Sequence, residues 1–202
     1  MGESVRNTLS LDLLVEKLNE RLPTASLKEL AAGFSFEDAD FPEQLGRSYR
    51  AAGHLTRHQV AELVDWKTAG RQTKAFRNNN ADASVKLVTA FAAEAADKLK
   101  DTPDIPASML LALRAVHFAT ASAILTAWNP DDYGILDVRA WSALHNLTKD
   151  ESFNRGKRTL FTSDEFRLYI LLLRRWGDGV DVSPRTIDKA LWQFDKERAK
   201  HD

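Results

Sequence analysis

The chain has 202 residues, 44% of them hydrophobic and 28% charged, with a formal net charge of −1, an ordinary make-up for a globular protein of one or two small domains. It has no cysteine, which excludes disulfides, thiolate zinc sites and cysteine-ligated iron–sulfur clusters and suits a cytoplasmic protein. No apolar run approaches the ~18 residues of a spanning helix, and the N-terminus lacks the basic-then-apolar layout of a signal peptide, so no membrane partner is expected.

Nine glycines and six prolines are few for a turn-rich sandwich, and the prevailing residues favour helix. An amphipathic helix is predicted over 9–22, followed by a turn at Pro23 and an irregular stretch over 31–48 containing Phe34, Phe36, Phe41 and Pro42. Thr56 with Gln59 is a capping-box signature that opens a helix to about residue 68. Asn78–Asn80 marks a loop, and an alanine-rich helix over 82–100 stops at the two prolines of 101–106. Short helices are predicted at 107–113, 119–128 and 138–147. Thr162 and Glu165 cap the next, which ends near Gly177, and Ser183-Pro184 starts the last, to about 200. The expected fold is all-α, with about eight helices in a single domain.

Charge is distributed unevenly along the chain. Residues 47–77 carry seven bases (Arg47, Arg50, Arg57, Lys67, Arg71, Lys74, Arg77) against two acids, and 78–137 carry four against eight. Residues 138–202 carry thirteen against ten, with Arg155, Lys157 and Arg158 close together. Two basic regions around an acidic middle form either a cleft with positive walls or solvated helix faces.

Residues 113–141 carry most of the functional signal. They read as helix, tight turn, helix, polar loop and an aspartate, Asp137, at the mouth of another helix. A short turn into a second helix points that helix's first N–H groups outward, where they and the helix dipole suit a phosphate. Asp137 is therefore either an N-cap or a catalytic carboxylate, and the two roles are compatible.

The run Leu113–Leu125, with Thr120-Ala121-x-Ala123-Ile124-Leu125, followed by Ile135-Leu136-Asp137 and Val138-Arg139-Ala140-Trp141, resembles the helix-hairpin-helix base-excision DNA glycosylase superfamily of endonuclease III and the adenine and 8-oxoguanine glycosylases. The likeness is strong over about 35 residues and extends loosely from Trp66-Lys67 to Ala190-Leu191-Trp192. It implies a helix-hairpin-helix subdomain over about 78–147, a cleft against a second subdomain built from 1–77 and 148–202, and Asp137 as the catalytic carboxylate. The DNA contacts it implies are Arg114, Ala115, Val116, His117, Phe118, Ala119, Thr120 and Arg139. The chain departs from the family twice. Leu113-Arg114-Ala115-Val116-His117 stands where the family has Leu-Pro-Gly-Val-Gly, and histidine enters the left-handed region more readily than alanine. Ala119 stands where bifunctional members carry a lysine that forms a Schiff base with the sugar.

The resemblance thus implies a monofunctional glycosylase that flips a base out of duplex DNA and hydrolyses its N-glycosidic bond, without strand cleavage, cofactor or metal. A lesion would make it a cytoplasmic, nucleoid-associated repair enzyme, and a hypermodified phage base would make it an antiviral one; a monomer is expected in both cases. Candidate base-pocket residues are Trp66, Lys67, Arg71, Tyr133 and Trp141, with Trp128 a further aromatic; core packing is the alternative for each aromatic. Lys67 is the lysine suspected of reaching a sugar carbon, which would restore strand cleavage. His54 and His58 have metal-pair spacing but no third ligand, and read as surface residues. The competing functional reading is a non-catalytic helix-hairpin-helix DNA-binding protein.

Overall fold

Helix propensity and capping set most of the architecture in a computed structural model, which describes residues 10–36, 38, 40–154 and 160–200. The basic run at Arg155, Lys157 and Arg158 lies outside the described residues. Over the described residues the chain is all-helical, with eleven α-helices where about eight are expected. In order these are α1 Leu11–Arg21, α2 Thr24–Ala32, α3 Phe41–Ala52, α4 Arg57–Thr68, α5 Thr73–Asn79 and α6 Asp82–Lys98. They continue with α7 Asp104–Leu110, α8 Phe118–Trp128, α9 Val138–Thr148, a 3-10 turn at Glu151–Phe153, α10 Ser163–Val180 and α11 Pro184–Arg198.

The three additional helices have simple causes. Helix α2 opens directly after Pro23, whose φ of −57° is already set for helix entry. Helix α3 begins within the stretch expected to be irregular, because Pro42 sits in its first turn, where a missing N–H costs nothing. Helix α5 is a seven-residue segment that takes Asn78 and Asn79, expected in a loop, into its last turn, with Asn80 as its C-cap. Both predicted capping boxes form, Thr56 with Gln59 and Thr162 with Glu165. Helix α7 starts earlier than expected because Pro106 also falls within a first turn.

Helix α8 is the centre of the packing. Nine of its residues, Phe118 and Thr120–Ala127, are buried, so it is apolar around most of its circumference and packs against α3, α4, α6 and α7. Its small residues let neighbours come close. A Cβ at Gly46 of α3 would lie 2.5 Å from the Ala127 carbonyl oxygen, so glycine is required at that crossing. Helix α11 packs on α2, α9 and α10, and α1 packs on α9 and α10. Among the described residues no helix is long and apolar enough to cross a membrane.

Candidate functional site

The loop between α8 and α9 holds Asp137 by fixing its own backbone on three sides. Ile135 N–H donates to Asp188 Oδ2 at 2.5 Å, Leu136 N–H to Ser122 Oγ at 2.9 Å, and the Tyr169 hydroxyl to the Ile135 carbonyl at 3.2 Å. At Gly134 a Cβ would lie 2.5 Å from Leu173 and 2.9 Å from the Pro184 carbonyl oxygen, so only glycine lets the chain thread there. Apolar Ile135 and Leu136 are buried, which anchors the residue that follows them.

Asp137 is the N-cap of α9. Its Oδ1 accepts from Arg139 N–H at 2.9 Å, as an N-cap aspartate should. Its Oδ2 accepts from Lys67 Nζ at 2.8 Å, across seventy positions of sequence, with the lysine side chain 10% and the aspartate 28% exposed. Burial pushes the Asp137 carboxyl up, but the charge and hydrogen bond of Lys67, with the N–H and charge of Arg139, outweigh it and hold it below the usual carboxylate range. The group is ionised at neutral pH.

A pocket of about 80 Å3 opens beside this pair. Its walls come from both parts of the expected two-part fold: Phe34, Phe36, Trp66 and Lys67 from the N-terminal part, Ile135, Asp137 and Ala140 from the hairpin part, and Arg185, Asp188 and Trp192 from α11. The rings touch one another. Phe36 meets Trp66 edge-on at 5.3 Å and Trp192 at 5.7 Å, and Phe34 meets Trp192 at 5.1 Å. At the pocket's base Arg185 donates to Asp188 Oδ1 and to Glu43 Oε1, each at 2.8 Å. Burial is the largest influence on the Asp188 carboxyl and pushes it up to about 6, although Arg185, the Ile135 N–H and Lys67 pull the other way. The pocket thus combines aromatic faces, one ionised carboxylate, one carboxyl that titrates near 6 and two cations.

The turn before α8 holds Ala115 in the left-handed region, at φ +65°. His117, the side chain better suited to that conformation, is extended at φ −122° and serves as the N-cap of α8 without a side-chain cap bond. Asn80 holds the strained turn from outside: its Oδ1 accepts from Arg114 N–H at 2.9 Å and its Nδ2 donates to the Arg114 carbonyl at 3.1 Å.

The residues expected to contact DNA divide by exposure. Arg114 and His117 are exposed, Ala115 and Ala119 are half-buried, and Val116, Phe118 and Thr120 are buried, so these last three offer backbone rather than side chains. The Arg139 guanidinium pairs with Asp195 at 3.3 Å and lies 5.5 Å from the centre of the Trp192 ring.

Of the five expected pocket residues, Trp66 and Lys67 line the pocket and three do not. Tyr133 is fully buried, with the Arg174 guanidinium over its ring at 4.7 Å. Trp141 is buried against Phe153, Phe161 and Tyr169, because its place on α9 faces the core rather than the pocket. Arg71 lies beyond the end of α4, exposed, and donates to the Thr68 carbonyl. Trp128 packs on Tyr49 and donates to Asp97, away from the pocket. His54 precedes α4 and faces the Ala52 carbonyl, whereas His58 lies on α4 beside Glu62, so the two do not share a helical face.

Sequence reasoning missed Phe34, Phe36, Arg185, Asp188 and Trp192 as pocket residues, and Asn80 as the brace of the hairpin. Arg185, Asp188 and Trp192 are spaced i, i+3 and i+7 on α11, the signature of one helical face. The two phenylalanines sit in an irregular segment with no periodicity to read. Compared with family models, curated proteins and solved structures, the chain matches none.

Proposed function

We propose that the protein is a DNA N-glycosylase, with Asp137 as its catalytic carboxylate. The observation that carries this reading is the ionised Asp137, fixed at a helix N-terminus on the rim of an aromatic pocket, with Lys67 beside it. Cleaving an N-glycosidic bond develops positive charge at C1′, which a pre-positioned carboxylate stabilises without reorganising. The aromatic faces of Phe36, Trp66 and Trp192 suit an unstacked base. At about 80 Å3 the pocket has room for a few waters rather than a whole base, so a base enters by displacing a wall; Phe36, 37% exposed, is the wall freest to move.

In this reading the duplex lies across the two helical subdomains, with the pocket at their junction. The hairpin supplies the phosphate grip through the first turn of α8 and the exposed Arg114 and His117. The enzyme acts as a monomer on a flipped nucleotide in the cytoplasm, in repair or in antiviral defence. Base release is the reaction to assay, on modified, damaged and phage DNAs, by counting abasic sites. Asp137→Asn lowers base release by about 10³-fold while duplex binding survives; equal turnover by both proteins removes Asp137 from the mechanism.

One observation favours the non-catalytic alternative: both Asp137 oxygens already have partners, Arg139 N–H and Lys67. If that is their whole purpose, duplex binding weakens steeply with salt and no DNA yields abasic sites.

A further inference from the structure

We propose that Asp188 is a positioning residue: its carboxylate holds the backbone of Ile135 and, through it, sets the place of Asp137 at the pocket. This inference rests on the glycosylase reading of Asp137. Asp188 stands on α11, lines the pocket and is buried. Its Oδ2 accepts from Ile135 N–H, and the Tyr169 hydroxyl donates to the Ile135 carbonyl, so a residue two positions before Asp137 is gripped on both sides. Gly134 admits the carboxylate, since a Cβ there would lie 3.0 Å from Asp188 Oδ2. Behind it Arg185 Nη1 donates to Oδ1, Arg185 Nε donates to Glu43 Oε1, and Lys189 Nζ lies 3.0 Å from the same Glu43 oxygen. The neighbouring amide shows that holding the loop does not require a charge: Leu136 N–H is satisfied by the neutral hydroxyl of Ser122. A buried carboxylate is costly and needs partners around it, and in this loop only Ile135 N–H is given one.

The charge makes this grip depend on a proton. Both Asp188 oxygens meet donors, so a proton on either one expels a partner. The bond from the Arg185 guanidinium joins two charged groups and is the stronger, so the proton settles on Oδ2 and displaces Ile135 N–H. Asp188 is faced by Arg185 on its own helix, Glu43 on α3, Lys67 on α4 and Tyr169 on α10. Of the other helices packed on α11, α2 carries Lys28 and Glu29 exposed, and α9 has Arg139 paired with Asp195 and His145 facing the Asp150 carbonyl. Burial, with the Glu43 charge, outweighs Arg185, the Ile135 N–H and Lys67 and pushes the carboxyl up to about 6. Asp137 stays ionised through that range, because its own carboxyl is held below the ordinary value. On the acid side base release therefore fails by losing the place of Asp137, not its charge.

The test begins on the free protein, with NMR spectra that follow the Ile135 amide proton and the Asp137 side-chain carboxyl carbon from about pH 4 to 8. Both signals move with an inflection near 6 in the wild type and lose it in Asp188→Asn, whose side-chain nitrogen cannot accept a hydrogen bond. In turnover, the wild-type kcat falls about tenfold for each pH unit below that inflection, with KM unchanged. Asp188→Asn lowers kcat about 10²-fold and flattens its acid limb. Ser122→Ala loosens the same loop through Leu136 N–H, and lowers kcat while keeping the limb. A merely structural Asp188 would give a variant of that second kind, slower with the limb intact, and such a result overturns the inference. So does a wild-type Ile135 amide with no inflection near 6, a measurement that needs no variant to fold. Failure to release a base from any DNA at any pH instead overturns the reading of Asp137, whichever way the amide titrates.

Discussion

At the hairpin, a backbone conformation is held by neighbouring backbone and one side chain: Ala115 at φ +65°, with Asn80 bonded to both the N–H and the carbonyl of Arg114. At the pocket, side chains from four segments of sequence converge, and charge rather than conformation is what has been arranged. The contrast shows how each kind of feature tolerates change. A turn can hold an alanine in the left-handed region, provided a brace absorbs the strain. A charged pocket draws its groups from distant segments, as Lys67 on α4 meets Asp137 at the start of α9.

The comparison can be broken most sharply at the brace. Asn80→Ala removes three hydrogen bonds, two to Arg114 and one to the Phe76 carbonyl, and should destabilise the fold by about 2–3 kcal/mol. Duplex affinity should fall with it. An unchanged urea midpoint would show that the turn holds itself.

The pocket has its own signature in pH. The Asp188 carboxyl is raised from an ordinary 3.8 to about 6 in the folded chain. The folded state therefore holds this proton more tightly than the unfolded state does, and stability from this group declines as pH rises between about 4 and 6. Asp137 has the opposite sign: its lowered carboxyl contributes stability above the ordinary value, lost as pH falls through its folded value. Asp188→Asn should remove a decline on the order of 2 kcal/mol between those limits, measured as urea midpoints across the range. A variant with the wild-type slope would assign that titration elsewhere.

The smallest effect separates the two hairpin positions. Ala115→Gly relieves a left-handed alanine and should stabilise the fold by about 1 kcal/mol. His117→Gly, at an extended residue, should gain nothing. Equal midpoints for the two variants would mean that Ala115 is not strained.

Much of the fold is legible in the sequence. Caps at Thr56, Thr162 and Ser183 locate three helix starts within a residue, because a side chain bonding to N–H groups three positions on is local chemistry. Helices α2 and α3 escape because Pro23 and Pro42, read as marking irregular chain, in fact sit at helix starts, and α5 because it is too short for its periodicity to register. Asp137 is legible from its place before an apolar helix, and Trp66 and Lys67 from standing at the end of α4. Tyr133 and Trp141 show the limit: an aromatic near a site in sequence packs wherever its own helix or loop turns it.

What the sequence determined by itself was therefore the helical class, most helix starts and the position of a carboxylate at the mouth of α9. Tertiary structure alone decided that Lys67 meets Asp137, that α11 brings Arg185, Asp188 and Trp192 to the same pocket, and that alanine rather than histidine bears the left-handed turn. The physical reason is range. Capping and periodicity act over a few residues, whereas an ion pair spanning seventy positions exists only after α4, α8, α9 and α11 have buried their apolar faces together.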